Sequence, residues 1–295
     1  MTSLTKQESE IYDRQIRLWG VEAQQRLQAS RVLMAGRFGC VSAEISKNLI
    51  LAGFGATIMD DGLVVPEDLG SNFVLTENGI GKNRALSAHA RLQELNPMVS
   101  VTTNVNGTSS ITSTFITEGK YNVVVLSGPV PKTEMIRVNQ ICRTVNCSFF
   151  YVDMYGFLGV GFSDLGNAFE YRSGSIDKET EKLIPVKFAT IETTLNTSWK
   201  DLASRRFGTP SIYYAWNCLM GYMESKGTST VTIEGNIYIK VFGFSFYFFF
   251  LFVIIIIIKT NLFFFFNLFL IIIIKTTPTQ NIHMVRTIIG ARIWY

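Results

Sequence analysis

The sequence predicts an α/β protein, a mostly parallel sheet with helices flanking it. Three observations predict this class. Residues 31–155 alternate short apolar runs with amphipathic stretches, the pattern of strand and helix units wound about a parallel sheet. A glycine turn, Gly36-Arg37-Phe38-Gly39, joins the first apolar run to the first amphipathic stretch. Val123-Val124-Val125-Leu126 is apolar at every position, as a strand covered on both faces requires.

The elements follow in order. Val32 to Ala35 is the first strand. After the glycine turn, Val41, Ile45, Leu49 and Ala52 recur at helical spacing until Gly53 and Gly55 stop the helix. Ala56 to Met59 is the second strand and ends at Asp60-Asp61. A helix from Lys82 to Leu95 is halted by Asn96-Pro97, because the residue before a proline is pushed out of the helical region. A strand follows near Val99 to Val105, then the apolar run at Val123. Met135, Val138, Cys142 and Val145 share one face of the next helix, and another strand starts near Phe149. Trp199 to Arg206 and Ser211 to Glu224 read as helices separated by Gly208-Thr209-Pro210.

The chain has 295 residues, enough for one large or two modest domains. Four of its 27 basic residues (Lys259, Lys275, Arg286, Arg292) lie in residues 241–295, which hold no acid, so the remaining 23 balance the 23 Asp and Glu. A neutral body offers no clustered basic face, and nucleic acid is set aside as a partner. The four cysteines show no paired metal spacing and the N-terminus has no apolar signal core, which together indicate a reducing compartment.

A glycine turn between strand and helix can bring backbone N–H groups to phosphate oxygens at the positive end of the helix. Here the pattern is Gly36-x-x-Gly39-x-x-Ser42, with bulky Arg37 and Phe38 where close approach needs small residues. Asp60 follows Gly36 by 24 positions, near the separation of a ribose-binding carboxylate. The turn reads either as a nucleotide site formed by Gly36, Gly39 and Asp60 or as a structural strand turn.

The N-terminal string Tyr12-Asp13-Arg14-Gln15-Ile16-Arg17-Leu18-Trp19-Gly20 is the sharper signal. At about 100° per residue Tyr12, Ile16 and Trp19 share a stripe, while Arg14 and Arg17 project from the far side. The string resembles the opening of the ubiquitin-like-protein activating enzymes. Asn48 to Gly53, Gly81 to Ala85, Leu95 to Val99, Val138 to Cys142 and Tyr155-Gly156-Phe157 resemble, in order, the regulatory, non-catalytic subunit of SUMO-activating enzymes. The resemblance covers residues 9 to about 170 and continues more weakly from Ile184 to Gly227.

That resemblance implies a Rossmann-like adenylation fold of the ThiF and MoeB kind, incomplete at its C-terminus. Residues 1–170 would form the adenylation-type domain, 171–184 a linker, and 185–240 a helical continuation of the same fold. It also implies a heterodimer in which a catalytic subunit adenylates SUMO with ATP and Mg²⁺, in the nucleus and cytoplasm. Where the family's catalytic half carries a second acid, an arginine and a lysine, this chain has Gly62, Ser71 and Arg84, and Leu126 to Pro131 holds no acid. With few hard oxygen ligands for Mg²⁺, the pocket of Gly36, Gly39 and Asp60 reads as degenerate, with no cofactor or metal of its own. Arg14 resembles a finger that acts in trans, its planar guanidinium reaching the partner's ATP; Arg17 is a second candidate. Alternative readings are the equivalent subunit of another ubiquitin-like pathway, a dinucleotide-binding oxidoreductase and a membrane-anchored adaptor.

No cysteine reads as a thioester nucleophile. Cys40 sits near a helix start, and Cys142, Cys147 and Cys218 read as buried small side chains. His89 reads as a helix-surface residue. Residues 241–274 hold 12 of the 23 Phe, and Val241 to Ile258 gives an 18-residue apolar run, near the lower limit for spanning a bilayer. Two origins stay open for this tail: a membrane segment, or translated AT-rich noncoding DNA.

Overall fold

The computed structural model describes residues 5–155, 158–172, 183–197 and 220–221. Three short helices open the chain, α1 (Lys6–Ile11), α2 (Asp13–Trp19) and α3 (Val21–Ala29). Strand β1 (Arg31–Gly36), helix α4 (Cys40–Ala52) and strand β2 (Gly55–Met59) follow. A crossover with two 3-10 turns leads to α5 (Arg84–Leu95), β3 (Val101–Asn104), α6 (Ser113–Glu118), β4 (Val123–Ser127), α7 (Lys132–Thr144) and β5 (Ser148–Tyr155). Beyond them lie β6 (Leu158–Asp164), β7 (Phe169–Arg172), β8 (Leu183–Val186) and α8 (Ile191–Asn196).

The main sheet has the order β3-β2-β1-β4-β5-β6. The first five strands are parallel, and β6 runs antiparallel to β5. The two-residue period of a strand divides its side chains between two cores. Val32, Met34, Val123 and Val125 enter the core shared with α4 and α5. Leu33, Ala35, Val124 and Leu126 enter the core shared with α6 and α7. Both faces are covered, so every position in β4 is buried, and each such Leu or Val contributes roughly 1.5–3 kcal/mol relative to exposure. The expected mostly parallel α/β fold is the observed one.

Local signals set the boundaries. Gly53 closes α4 in the left-handed region at φ 103°, where a Cβ is disfavoured, and the Phe54 N–H returns to the Leu49 carbonyl at 3.0 Å. Helix α5 begins two residues later than expected because the Asn83 side chain caps it by accepting from the Leu86 N–H at 3.0 Å. Asn96 does more than stop α5: its Nδ2 donates to the Ile50 carbonyl at 2.9 Å and the Tyr12 hydroxyl at 2.8 Å. The N-terminal amphipathic segment is broken at Tyr12 into α1 and α2, and the Tyr12 ring is fully buried.

The stretch read as a linker, 171–184, begins and ends in strands. Tyr171 and Arg172 belong to β7 and pair with Ile184 and Leu183 of β8 in a two-stranded antiparallel sheet. The expected helices at Trp199 to Arg206 and Ser211 to Glu224 lie outside the described residues, apart from Met220 and Gly221; Met220 is buried in the second core. The Phe/Ile tail lies wholly outside them. No helix among the described residues is long and apolar enough to cross a membrane.

Candidate functional site

Strand order reverses at β1, so the C-terminal ends of β1 and β4 splay into a crevice, the place where open parallel sheets bind ligands. A cleft of about 510 Å³ lies there, with Arg37, Asp60, Gly62 and Arg84 on one wall and Pro131 and Glu134 on the other. Gly36, Gly39 and Asp60 come together at this end of the sheet, as their spacing suggested. Gly36 is required: it has φ 98°, and a Cβ would stand 2.3 Å from the Ser127 carbonyl oxygen of β4. Gly39 meets nothing within 4 Å, so packing does not demand glycine there.

The polar groups of this turn are engaged within the protein. The Arg37 N–H donates to the Ser127 carbonyl at 3.1 Å, the Phe38 N–H to Asp60 Oδ2 at 2.7 Å and the Gly39 N–H to the Arg37 carbonyl at 2.9 Å. Asn72, which the motif reading passed over, donates Nδ2 to the Phe38 carbonyl at 2.9 Å and ties the crossover to the turn. Its only sequence signal was its place in the crossover.

Asp60 is equally committed. Its Oδ1 accepts from the Gly62 N–H at 2.7 Å, and its Oδ2 also accepts from Arg84 Nη1 at 2.5 Å. Arg84 is buried, donates Nε to Asp68 at 3.2 Å and Nη2 to the Leu63 carbonyl at 2.8 Å. Asp68 in turn holds Arg37 at 2.9 Å. A chain of alternating charge, Arg37-Asp68-Arg84-Asp60, therefore fills the wall of the cleft. It explains Gly62, because a Cβ there would sit 2.7 Å from Arg84 Nη1.

Burial alone would raise the Asp68 carboxyl, but the Val65 N–H, Arg37 and Arg84 outweigh it and hold the group below the ordinary carboxylate range. Burial alone would lower the Arg84 guanidinium, and Asp60 and Asp68 outweigh it in the same way. Because the folded-state pKa of Asp68 lies below its unfolded value, its stabilisation is full above the unfolded pKa and is lost as pH falls through the folded one. Denaturant midpoints measured between about pH 6 and pH 2 should therefore fall on the acid side, and Asp68→Asn should flatten that fall while lowering stability near neutrality. An equally steep acid fall in Asp68→Asn would place the titration elsewhere.

The opposite wall is pinned by Arg137. It donates to the carbonyls of Thr108 and Ile111, both at 2.8 Å, and pairs with Glu134, whose carboxyl this hydrogen bond holds below its usual range. Among the described residues no three His, Cys, Asp or Glu side chains converge as a metal site. Cys40 at the start of α4 has its thiol pushed up by burial. Cys142 is raised by its hydrogen bond with Cys147 and by burial, and Cys218 lies outside the described residues. His89 is half-buried rather than a free surface residue, with Nε2 3.0 Å from the Val101 carbonyl of β3.

Arg14 is placed elsewhere. It lies on α2, exposed, while Tyr12 is buried and Ile16 and Trp19 are half-buried, as the helical arithmetic required. The neighbouring Gln15 donates Nε2 to the Leu51 carbonyl at 3.0 Å, at the C-terminal end of α4. The glycine turn is at the N-terminal end of that 13-residue helix, roughly 18 Å away at 1.5 Å per residue. Arg14 and the cleft of its own chain are thus at opposite ends of α4.

A parallel sheet with a switch-point cleft and a glycine turn after β1 defines the Rossmann-like nucleotide-site class, here with paired charges in the wall of the cleft. The ThiF family matches residues 12–163. The chain is 35% identical over 248 residues to SUMO-activating enzyme subunit 1 of Xenopus laevis, covering 76% of this chain and 71% of that protein. It is 44% identical over 164 residues to the subunit 1 of Rattus norvegicus, covering 55% of this chain and 46% of that one. A crystal structure of E. coli MccB with MccA shares the fold, with TM-score 0.55, 15% identity, and 87% of this chain and 65% of that chain covered. The chain belongs to the ThiF family and, within it, to the family of SUMO-activating enzyme subunit 1. It spans about half the length of the mammalian relatives it matches.

Proposed function

We propose that the chain acts as the non-catalytic subunit of a heterodimeric SUMO-activating enzyme, completing the ATP site of a catalytic partner. The observation that carries this reading is the separation along α4. The chain's own switch-point cleft has the Arg84 and Asp60 pair locked into its wall, whereas Arg14 stands exposed at the far end of the helix. A nucleotide does not fit this chain's cleft. The turn's N–H groups already have acceptors, Asp60 has its donors, Leu126 to Pro131 holds no acid for Mg²⁺, and Glu134 beyond it is paired with Arg137. A guanidinium that cannot serve its own cleft is suited to serve another, and its planar fork matches phosphate oxygens.

On this reading the partner binds ATP and Mg²⁺, which supply the phosphoryl electrophile for adenylation of the SUMO C-terminus. This chain contributes Arg14 as a positive charge at the phosphates and holds the dimer. The test is ATP–pyrophosphate exchange with SUMO. Exchange should require both subunits, and the thioester formed afterwards should sit on the partner alone. A thiol-sensitive SUMO adduct on this chain, or exchange at full rate by the catalytic subunit alone, would reject the reading. Exchange with another ubiquitin-like modifier in place of SUMO would move the chain to that pathway.

A further inference from the structure

The last carbonyls of a helix have no partner within the helix itself. At the end of α4 the chain that follows meets two of them: the Phe54 N–H donates to the Leu49 carbonyl and the Gly53 N–H to the Ile50 carbonyl, both at 3.0 Å. The next two are met by side chains of the N-terminal helices. Gln15 of α2 donates Nε2 to the Leu51 carbonyl at 3.0 Å, and Gln24 of α3 donates Nε2 to the Ala52 carbonyl at 2.9 Å. Both ends of α2 are tied to the same place. At its start the buried Tyr12 hydroxyl accepts from Asn96, whose Nδ2 also donates to the Ile50 carbonyl. At its end Trp19 Nε1 donates to Gln24 Oε1 at 3.1 Å. Three consecutive carbonyls, Ile50, Leu51 and Ala52, thus hold the start, middle and end of α2, the first through Asn96 and the last through Gln24.

Such polar ties matter because little else holds this helix. It has seven residues, none of them buried, and a helix that short is not stable by itself. Gln15 sits at its middle tie and keeps its amide on Leu51 although its Oε1 is buried with no hydrogen-bond partner among the described residues. An unmet buried acceptor is unfavourable and calls for a reason. Arg14 is the preceding residue and makes no ion pair or hydrogen bond among the described residues. Its position is therefore set by whatever holds its helix.

We propose that Gln15 is a positioning residue: with Tyr12 and Trp19 it clamps α2 onto the last carbonyls of α4 and so fixes the place from which Arg14 acts. The clamp stands on this chain's own bonds, and its effect on adenylation rests on the function proposed above.

Gln15→Met tests it, because methionine removes the donor and the unmet oxygen together. The Leu51 carbonyl lies at an exposed position where water can replace the amide, so the melting temperature of the free chain should stay within about 2 °C of wild type. Amide hydrogen exchange in α2 should quicken roughly 3- to 10-fold while that in α4 stays the same. In the assembled heterodimer, pyrophosphate exchange at saturating ATP and SUMO should fall roughly 10-fold, as expected of a misplaced group, with the KM for ATP and the Kd for the partner changing less than about 3-fold. In an Arg14→Ala background Gln15→Met should take away nothing more, since two changes that act through one group are not additive. If Gln15→Met disturbs folding, Tyr12→Phe, which leaves Asn96 its bond to the Ile50 carbonyl, loosens the first tie and makes the same measurements. Unaltered amide exchange in α2 overturns the clamp. An equal loss of rate with and without Arg14 overturns the positioning role, while a slow Arg14→Ala enzyme leaves the proposed function standing. A normal rate for Arg14→Ala rejects the arginine's part in that function and overturns the positioning role with it; quickened exchange in α2 would then still support the clamp.

Discussion

Arg14→Ala is expected to slow adenylation by the assembled heterodimer roughly 30- to 1000-fold. Removing a donor that stabilises developing charge in a water-poor site costs about 2–4 kcal/mol of transition-state stabilisation, and each 1.4 kcal/mol is about tenfold in rate. The dimer should form as before, since Arg14 bonds to nothing within its own chain among the described residues and its removal leaves no buried group unpaired. Arg14→Lys should recover only part of the rate, because an ammonium keeps the charge without the planar fork. Arg17→Ala is the internal control. Its partner is Asp13 in the same helix, both are well exposed, and such a pair contributes little. Pyrophosphate exchange at saturating partner is the measurement. A normal rate for Arg14→Ala with an intact dimer would reduce Arg14 to a solvated helix residue.

Arg84→Met should be the most destabilising single change in the cleft, at roughly 3–5 kcal/mol, because removing one partner of a buried ion pair strands the other. Here it strands buried Asp60, while Asp68, also buried, loses one of its two cations and keeps Arg37. Arg84→Lys should fall between, because one ammonium cannot reproduce the Nη1, Nε and Nη2 bonds to Asp60, Asp68 and the Leu63 carbonyl together. Adding Asp60→Asn to Arg84→Met should return part of the loss by removing one stranded charge. Denaturant unfolding of the wild type and the three variants tests this. Arg84→Met within about 0.5 kcal/mol of wild type would mean that the carboxylates find other partners. On the proposed function, which puts the reaction in the partner's site, exchange by the heterodimer should change far less than stability does.

The elements were legible in the sequence because each leaves a periodic trace. The continuous apolar run at Val123 to Leu126 marked a strand buried on both faces, and Val41, Ile45, Leu49 and Ala52 marked the helix behind the glycine turn. Boundaries were less legible where side chains rather than backbone preferences set them, as at Asn83, whose capping bond trims α5, and at Tyr12, where one helix becomes two. Nothing periodic marked the β7 and β8 pair, because a two-stranded sheet is made by the partner strand rather than by either strand alone.

The site divides in the same way. By itself the sequence determined that Gly36 turns the chain after the first strand, that Asp60 ends the second, and that Arg14 faces away from Tyr12, Ile16 and Trp19. Such statements depend on position along a strand or helix, and position is a local property. Only the tertiary structure decided what those side chains meet. Arg84 reaches Asp60 across 24 positions and Asp68 across 16, and those bonds anchor Asp60 in the wall of the cleft. It also decided that Arg14 and the glycine turn lie at opposite ends of α4. The reason is physical: a charged or apolar side chain takes its meaning from the groups that replace its water, and those groups are brought to it by the fold from distant parts of the chain.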